Sequence, residues 1–371
     1  MRILLDYRPA LRERTGVGEY VHEVARALLD SAPAGESLTL FSSSYKDRLT
    51  VETLRGATAI DRRIPNRWLN LMWHRFEWPP VERLAGAAFD VVQASHPLLI
   101  PSLAAARLVT IYDLDFLDHP ERTTAEIRRD YPALTAGHAR RADHIVTISR
   151  HTAEDITLRL GVSPSRISVC YPGAPPWPAR DAEPPDGDIL FLGSLTPRKN
   201  LGTLLDAYER VLARVPNAPR LVLAGGQTPE SAPIVERARR APLAGRVELT
   251  GYVAPDRRLD FYRRALIFVM PSFTEGFGMP VIEAMTCGVP VVAANRGALP
   301  EAVGGAGRLV DPTDPGALAE ALVALIADAG ERRRLTVAGR AQAAKFRWSA
   351  TASGIREAWA SALATRKTAR G

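Results

Sequence analysis

The chain has 371 residues, 46% of them hydrophobic and 24% charged, and its formal net charge is +7. This length is too great for one ordinary hydrophobic core and predicts two domains, while the composition excludes a disordered or membrane-spanning chain. The positive charge indicates anionic partners such as a nucleotide or a lipid surface, but no zinc-finger spacing or dense basic run supports nucleic-acid binding.

Short runs rich in valine, isoleucine and leucine alternate with segments of helical periodicity. This alternation is typical of parallel sheets covered by helices on both faces. The predicted strands are ILLDY, LTLFSS, FDVVQAS, RLVTIYD, HIVTIS and ISVCYPG, then DILFLGS, RLVLAGG, VELTG, LIFVMPS, PVVAAN and GRLVDP. We therefore predict an α/β protein with two doubly wound domains in tandem.

A proline-rich stretch separates the two sets of strands. Proline can neither sit inside a sheet nor continue a helix, so this stretch is predicted to be a semi-rigid linker. The first predicted domain covers residues 1–175 and the linker covers 176–187. The second domain covers 188–347, and a final helix at 348–371 is predicted to pack back on the first domain. The two domains would face each other across a cleft, with ligands at the carboxyl ends of the strands.

Two polar motifs follow strands of the first predicted domain. TGVGEY places Gly16 and Gly18 between the first strand and a helix, which suits either a tight turn or a loop facing a phosphate. Further on, a strand ends at Asp113 and Asp115, which could hold a divalent metal against a diphosphate. Two close aspartates occur easily by chance, so we keep the metal site only as an alternative.

The segment RWLNLMWHRFEW, residues 67–78, has a helical pattern. Leu69, Met72, Trp73 and Phe76 fall on one stripe, which predicts packing against the core. The basic residues on the other faces leave open a contact with an acceptor or a membrane surface.

In the second predicted domain, FLGSLTPRKNL ends a strand at Gly193 and places Arg198 and Lys199 just before a helix. Cations at that position oppose the helix dipole, which favours a functional explanation for them. An arginine fork and a lysine charge together suit the neutralisation of a diphosphate.

The most informative segment is PSFTEGFGMPVIEAMTCGVPVVAAN, residues 271–295. A buried strand leads into Glu275 and a glycine-containing loop, and Pro280 is predicted to occupy the first position of a helix. The glycines allow close approach of the backbone to a ligand, and the helix N-terminus presents amides to an anion. Glu283 lies in the first turns of that helix, so both carboxylates should open onto the same cleft and accept hydrogen bonds from sugar or ribose hydroxyls.

These motifs resemble glycosyltransferase family four, a retaining, metal-independent group with the GT-B fold of two facing Rossmann-like domains. EGFGMPVIEAMTCGVPVVAANRGALPE is similar to the donor-site signature of that family nearly throughout. LGSLTPRKNL, ADHIVTISRHTAEDI, GRLVDPTDPGALAEAL and TGVGEYVHEVARAL are similar to other family segments. Two positions depart from the family pattern: Tyr112 stands where many members carry histidine, and Ser194 where many carry arginine.

The resemblance implies a role for each motif and requires no cofactor. Arg198 and Lys199 would hold the donor diphosphate, and with Ser194 in place of arginine this clamp would rest more heavily on them. Glu275 would hold the transferred sugar and Glu283 the ribose. The candidate catalytic residues are Arg198, Lys199, Glu275 and Asp113, and the candidate donor-binding residues are Gly16, Gly18, Gly193, Gly276, Phe277, Gly278, Met279 and Glu283.

We therefore predict a hexosyltransferase acting on a saccharide or lipid-linked saccharide. Mannose from GDP-mannose is the first choice, because subgroups with the PRKN string are often mannosyltransferases. With only two cysteines, a cytoplasmic protein is expected, and the basic charge permits peripheral membrane contact. The alternatives are a metal-dependent transferase using Asp113 and Asp115, a nucleotide-sugar epimerase of the same architecture, and a non-catalytic binding module at a membrane assembly.

Overall fold

The computed structural model describes residues 1–11, 14, 16–49, 54, 56–123 and 125–368. The chain divides into two compact units, of which the second is Ala174–Phe346. The first is Met1–Gly173 together with the C-terminal segment that starts at Arg347. Each unit is built around one parallel sheet with helices, which confirms the prediction of two Rossmann-like domains.

The first unit has a seven-stranded sheet in the order β3-β2-β1-β4-β5-β6-β7. Its strands are β1 (Arg2–Asp6), β2 (Ser37–Ser43), β3 (Thr58–Arg62), β4 (Val91–Ala94), β5 (Ala106–Ile111), β6 (His144–Thr147) and β7 (Ile167–Val169). Its helices up to the linker are α1 (Gly16–Asp30), α2 (Asn66–Phe76), α3 (Val81–Ala85), α4 (Asp115–Asp118), α5 (Ala125–Arg141) and α6 (Arg150–Leu160). The strand order reverses between β1 and β4, the position where doubly wound sheets bind ligands.

The second unit has a six-stranded sheet in the order β10-β9-β8-β11-β12-β13. Its strands are β8 (Asp188–Leu192), β9 (Leu221–Ala224), β10 (Val247–Gly251), β11 (Ala265–Met270), β12 (Val291–Ala294) and β13 (Arg308–Val310). Its helices are α7 (Leu201–Arg214), α8 (Ala232–Ala238), α9 (Arg258–Arg264), α10 (Met279–Thr286), α11 (Leu299–Val303), α12 (Pro315–Ala327) and α13 (Ala329–Ala343). Here the order reverses between β8 and β11.

The last helix, α14 (Trp348–Thr368), belongs to the first unit and packs against α1, β5 and β6. The indole of Trp359 is fully buried and donates a hydrogen bond of 2.7 Å to Gln93 in β4. The proline-rich stretch lies on the second unit, where the Arg180 amide donates to the Cys287 carbonyl at 3.1 Å. Within the described ranges, no helix is both long and apolar enough to cross a membrane.

Two details differ from the expectations. Strand β3 was not predicted; it lies at the sheet edge with half-exposed side chains, so its sequence lacks a continuous apolar run. In α2, Leu69 and Trp73 are buried as predicted, but placing Phe76 in the core was wrong, since it is 66% exposed. The helix ends at Phe76 and Glu77 turns into the left-handed region at φ 49°, and the Phe76 side chain is left exposed at this end.

Candidate functional site

The loops that follow β8 and β11 meet at the carboxyl edge of the second sheet. The Phe273 amide donates to the Arg198 carbonyl at 3.0 Å and so ties one loop to the other. Asn200, which is buried and left-handed at φ 56°, donates through its side chain to the carbonyls of Pro271 and Pro312 at 3.0 and 2.6 Å. These contacts fix the short turn Pro197–Lys199 in place.

Three of the predicted site residues form one charged cluster there. Lys199 Nζ lies 2.6 Å from Glu275 Oε1, and Arg198 Nη1 lies 3.2 Å from Glu275 Oε2. Arg198 also donates to the Thr274 carbonyl at 2.9 Å. The structure thus brings together the two cations predicted for a diphosphate and the carboxylate predicted for a sugar, although they are more than 70 residues apart in sequence.

The cluster keeps Glu275 ionised. Its side chain is only 8% exposed, and burial by itself would raise the pKa of the carboxyl. The positive charges of Arg198 and Lys199 outweigh that effect and hold the pKa of Glu275 at about 2. A negative charge therefore sits between the two cations at neutral pH, and each cation keeps access to solvent, with 24% of the Arg198 and 12% of the Lys199 side chain exposed.

The loop after Glu275 leads into α10 with backbone geometry that requires glycine. Gly278 has φ +104°, and a Cβ there would lie 2.7 Å from the Leu299 side chain. The helix begins at Met279, so Pro280 is its second residue and not its first as predicted. The Phe277 ring is buried edge-on against Phe346 at a centroid distance of 5.2 Å, so any contact of this residue with a donor would come from its backbone.

Glu283, the second carboxylate, has different partners from Glu275. It is 6% exposed on α10 and accepts a hydrogen bond of 2.7 Å from the Tyr262 hydroxyl. The Arg258 guanidinium lies 3.5 Å from its other oxygen. Sequence reasoning missed Arg258 and Tyr262; their spacing of four residues in a helix just before a buried strand was the available signal.

In the first unit, the predicted glycines start α1. Gly16 is the first helical residue with φ +38°. A Cβ on Gly18 would lie 2.7 Å from the Pro9 carbonyl oxygen, so close packing against the turn after β1 by itself requires glycine there. Gly193 directly follows β8 in the second unit and lies beside the Lys199 side chain.

Asp113 and Asp115 follow β5. The Asp115 amide donates to the Asp113 carboxylate at 3.2 Å, and Arg122 lies 3.4 Å from the Asp115 carboxylate. Among the residues that the structure describes, no group of three or more His, Cys, Asp or Glu side chains is placed to hold a metal ion.

Tyr112, one of the two departures from the family pattern, precedes this pair. Its ring packs edge-on against Tyr20 at 5.6 Å, and burial raises the pKa of its hydroxyl well above 10. The hydroxyl therefore stays protonated at neutral pH. At the other departure, Ser194, the carbonyl accepts a hydrogen bond of 2.8 Å from the Thr196 amide.

A charged network that sequence reasoning also missed lies where the strand order of the first sheet reverses. Asp6 at the end of β1 is fully buried and is bound by Arg8 at 2.7 and 2.9 Å. His96, which follows β4, lies 3.3 Å from Asp6, and Arg8 donates to Asn70 of α2 at 2.7 Å. The charged pair in DYR directly after an apolar strand was the sequence signal for it.

Comparison with known proteins gives matches over both units. A family model described as "Glycosyltransferase Family 4" matches residues 14–176, and one described as "Glycosyl transferases group 1" matches residues 186–328. The O-antigen chain mannosyltransferase B of Escherichia coli is 28% identical, with 94% of this chain and 96% of that protein aligned. A D-inositol 3-phosphate glycosyltransferase of Acidothermus cellulolyticus is 35% identical, but over 62% of this chain and only 55% of that protein. Among solved structures, the sucrose-phosphate synthase of Thermosynechococcus elongatus matches with a TM-score of 0.78 at 22% identity, covering 96% of this chain and 97% of that one.

Proposed function

Because the chain belongs to the family-four glycosyltransferases, we propose that it transfers a hexose from a nucleotide-diphosphate sugar to a saccharide or lipid-linked saccharide. Mannose from GDP-mannose is the preferred donor, since the relative aligned over nearly its whole length is named a mannosyltransferase. We further propose that the anomeric configuration is retained and that no metal takes part. The second unit would bind the donor, and backbone groups of the Gly16–Gly18 turn would help to hold its diphosphate. Asp113 would be a catalytic residue, and loops of the first unit would select the acceptor.

The observation that carries this proposal is the cluster of Arg198, Lys199 and Glu275. Arginine and lysine side chains at the end of a buried strand are suited to stabilise a departing diphosphate, which is the largest charge change in such a transfer. The α10 N-terminus and the loop Gly276–Gly278 would add backbone amides on the same side of the sheet. Catalysis would then consist mainly of donor placement and charge stabilisation, with the cations in the place that a metal ion takes in metal-dependent transferases.

We expect GDP or GDP-mannose to raise the thermal unfolding temperature of the protein by several degrees. Ligand at about 100 times its Kd stabilises a protein by roughly 2.7 kcal/mol, and a domain of this size gains about 2–4 °C per kcal/mol. The measurement is thermal unfolding against a panel of GDP-, UDP- and ADP-sugars, with and without EDTA. The variant Lys199→Ala should lose most of the shift, while Lys46→Ala, at an exposed lysine of the first unit, should keep it.

Each other outcome of that panel selects one alternative. A shift that EDTA abolishes would favour the metal-dependent transferase at Asp113 and Asp115. A shift accompanied by acceptor-independent conversion of the donor sugar would favour the epimerase. No shift with any nucleotide would favour the non-catalytic binding module.

We also propose that the protein contacts the cytoplasmic face of a membrane through α2. Trp68 and Phe76 are 55% and 66% exposed, and Trp78, two residues after the helix, is 51% exposed. The exposed Arg67 and Arg75 lie on the same helix. Aromatic rings beside arginines are the combination that partitions into the headgroup region of anionic bilayers.

We accordingly expect the protein to bind vesicles containing an anionic phospholipid and to release them as salt is raised, because the arginine attraction is screened. The double variant Trp68→Ser/Phe76→Ser should lose about tenfold or more in vesicle affinity, from the apolar area it no longer inserts. Co-sedimentation with vesicles measures this. The control is Leu158→Ser, which changes a residue that is 82% exposed on α6, and equal loss in that control would contradict a specific role for α2.

A further inference from the structure

The partners of Glu283 come from one face of one helix. Arg258 and Tyr262 are four residues apart on α9 and therefore project to the same side. The Tyr262 hydroxyl donates to Glu283 Oε2 at 2.7 Å, and Arg258 Nη1 lies 3.5 Å from Oε1. Each carboxylate oxygen thus has its own contact, and the plane of the carboxylate is set by α9 rather than by α10, on which Glu283 itself lies.

Tyr262 is held rigidly. Its side chain is fully buried, and its ring packs against Trp177 of the proline-rich stretch at 5.9 Å and against Phe268 of β11 at 5.7 Å. Its hydroxyl also lies 3.3 Å from the Pro280 carbonyl in the first turn of α10. The tyrosine therefore connects the carboxylate to the helix turn that follows the donor loop.

Arg258 and Tyr262 present a cation and a hydroxyl donor to this carboxylate. Burial raises the pKa of Tyr262 well above 10, and the neighbouring Glu283 charge adds to that rise, so the hydroxyl remains a donor. Arg258, which is 6% exposed, places its guanidinium 3.5 Å from the other carboxylate oxygen. Carboxylate oxygens accept hydrogen bonds, and a carboxylate of fixed orientation suits the two neighbouring hydroxyls of a vicinal diol.

We propose that Arg258 and Tyr262 are positioning residues that orient Glu283 toward the two ribose hydroxyls of the donor and so set the preference for ribose over 2′-deoxyribose nucleotides. This inference rests on the proposed function, in which Glu283 accepts hydrogen bonds from the ribose. A site built around a hydroxyl discriminates against an analogue that lacks it, and the discrimination depends on how well the acceptor is aligned.

The test compares GDP with 2′-deoxy-GDP, and UDP with 2′-deoxy-UDP as a second pair, by measuring Kd for wild type and Tyr262→Phe. Wild type should bind the ribonucleotide about tenfold or more tightly than its deoxy analogue. In Tyr262→Phe we expect the ribonucleotide Kd to rise roughly fivefold or more, while the deoxy Kd stays within about twofold. In turnover, the donor KM should rise and kcat should change little. The reason is that the ribose contact is the same in the bound substrate and in the transition state, so weakening it affects binding only.

The matched control is Tyr208→Phe. Tyr208 is also fully buried in the second unit and donates to a carbonyl, that of Pro219, at 2.7 Å. Tyr208→Phe should change neither the ribonucleotide Kd nor the deoxynucleotide Kd. This control separates the general effect of removing a buried hydroxyl from the specific effect of losing the contact with Glu283. If Tyr262→Phe does not fold, Arg258→Lys provides the same comparison, since the shorter cation withdraws from Glu283.

The outcomes separate this inference from the proposal it rests on. Equal weakening of both nucleotides by Tyr262→Phe, or undiminished discrimination, would overturn the positioning role while leaving the ribose contact intact. A wild type that binds both nucleotides equally would instead refute the ribose contact of Glu283, and this inference with it. A wild type that binds neither pair would refute the donor site itself.

Discussion

Replacing Glu275 with glutamine should slow sugar transfer by about 10²–10³-fold and at the same time tighten the binding of the nucleoside diphosphate product. Transfer becomes slower while product binding becomes tighter, because this carboxylate would act on two parts of the donor: on the sugar directly, and on the diphosphate through the two cations. It would accept a hydrogen bond from the transferred sugar, and it also neutralises Arg198 and Lys199, which lie 3.2 and 2.6 Å away. With its pKa held at about 2, it is ionised at neutral pH and repels a diphosphate.

Glutamine keeps the size of the side chain, removes its charge and replaces one acceptor oxygen with an NH2 group. The cations would then face the diphosphate without an internal anion between them, and we expect its Kd to fall roughly five- to tenfold. We expect kcat to fall because the transition state would lose the contact with one acceptor oxygen and with the negative charge of Glu275. Steady-state kinetics and calorimetric titration of the nucleoside diphosphate measure the two quantities separately.

Glu320→Gln is the matched control, because Glu320 is also paired with an arginine, Arg214, but on the exposed surface between α7 and α12. It should change neither kcat nor Kd. If Glu275→Gln weakened diphosphate binding together with turnover, then Glu275 would act by holding the cations in place, and its competition with the diphosphate would be refuted.

Replacing Asp6 with alanine should lower the free energy of unfolding of the first unit by about 3–5 kcal/mol, because it leaves a buried arginine without its carboxylate. Asp6 is 0% and Arg8 8% exposed. Burial raises the pKa of Asp6, but the Arg8 charge and hydrogen bonds more than offset this, and the pKa lies below its ordinary value. The pair is therefore charged throughout the neutral range.

The network around this pair explains why the cost should be large. Arg8 also contacts Asn70 and His96 and stacks over the Trp73 ring at 4.9 Å, so it cannot turn out to solvent without disturbing α2. Neither Asn70 nor His96 supplies a negative charge, and burial lowers the pKa of His96 to about 3, which keeps it neutral.

The measurement is urea unfolding followed by tryptophan fluorescence, which reports mainly on the first unit because five of the six tryptophans belong to it. The double variant Asp6→Leu/Arg8→Met removes both charges and should cost far less than Asp6→Ala alone, since no unpaired charge remains buried. A cost below about 1 kcal/mol for Asp6→Ala would show that Arg8 finds another partner, and the stabilising role of the pair would be wrong.

Local patterns in the sequence were sufficient to predict most of the fold and to single out the motif proposed for the donor site. Twelve of the thirteen strands in the described part of the chain were predicted, most of them because a strand buried on both faces is a continuous apolar run, which any short window reveals. The loop at Gly276–Gly278 was recognisable for a similar reason: glycine and proline mark backbone geometry that depends on neighbouring residues only. Strand β3, at the sheet edge, carries no such run and was missed.

Only the tertiary structure decided which side chains meet. Arg198 and Lys199 were predicted to face a diphosphate, and the fold shows that they already bind Glu275, because parallel strands bring together loops more than 70 residues apart. The same holds for Tyr262 with Glu283, and for Asp6 with His96, which lies on a different strand loop. The order of the strands determines such pairings, and that order depends on the whole sheet. Periodicity and turn chemistry, in contrast, depend on a few adjacent residues and can be recognised in the sequence.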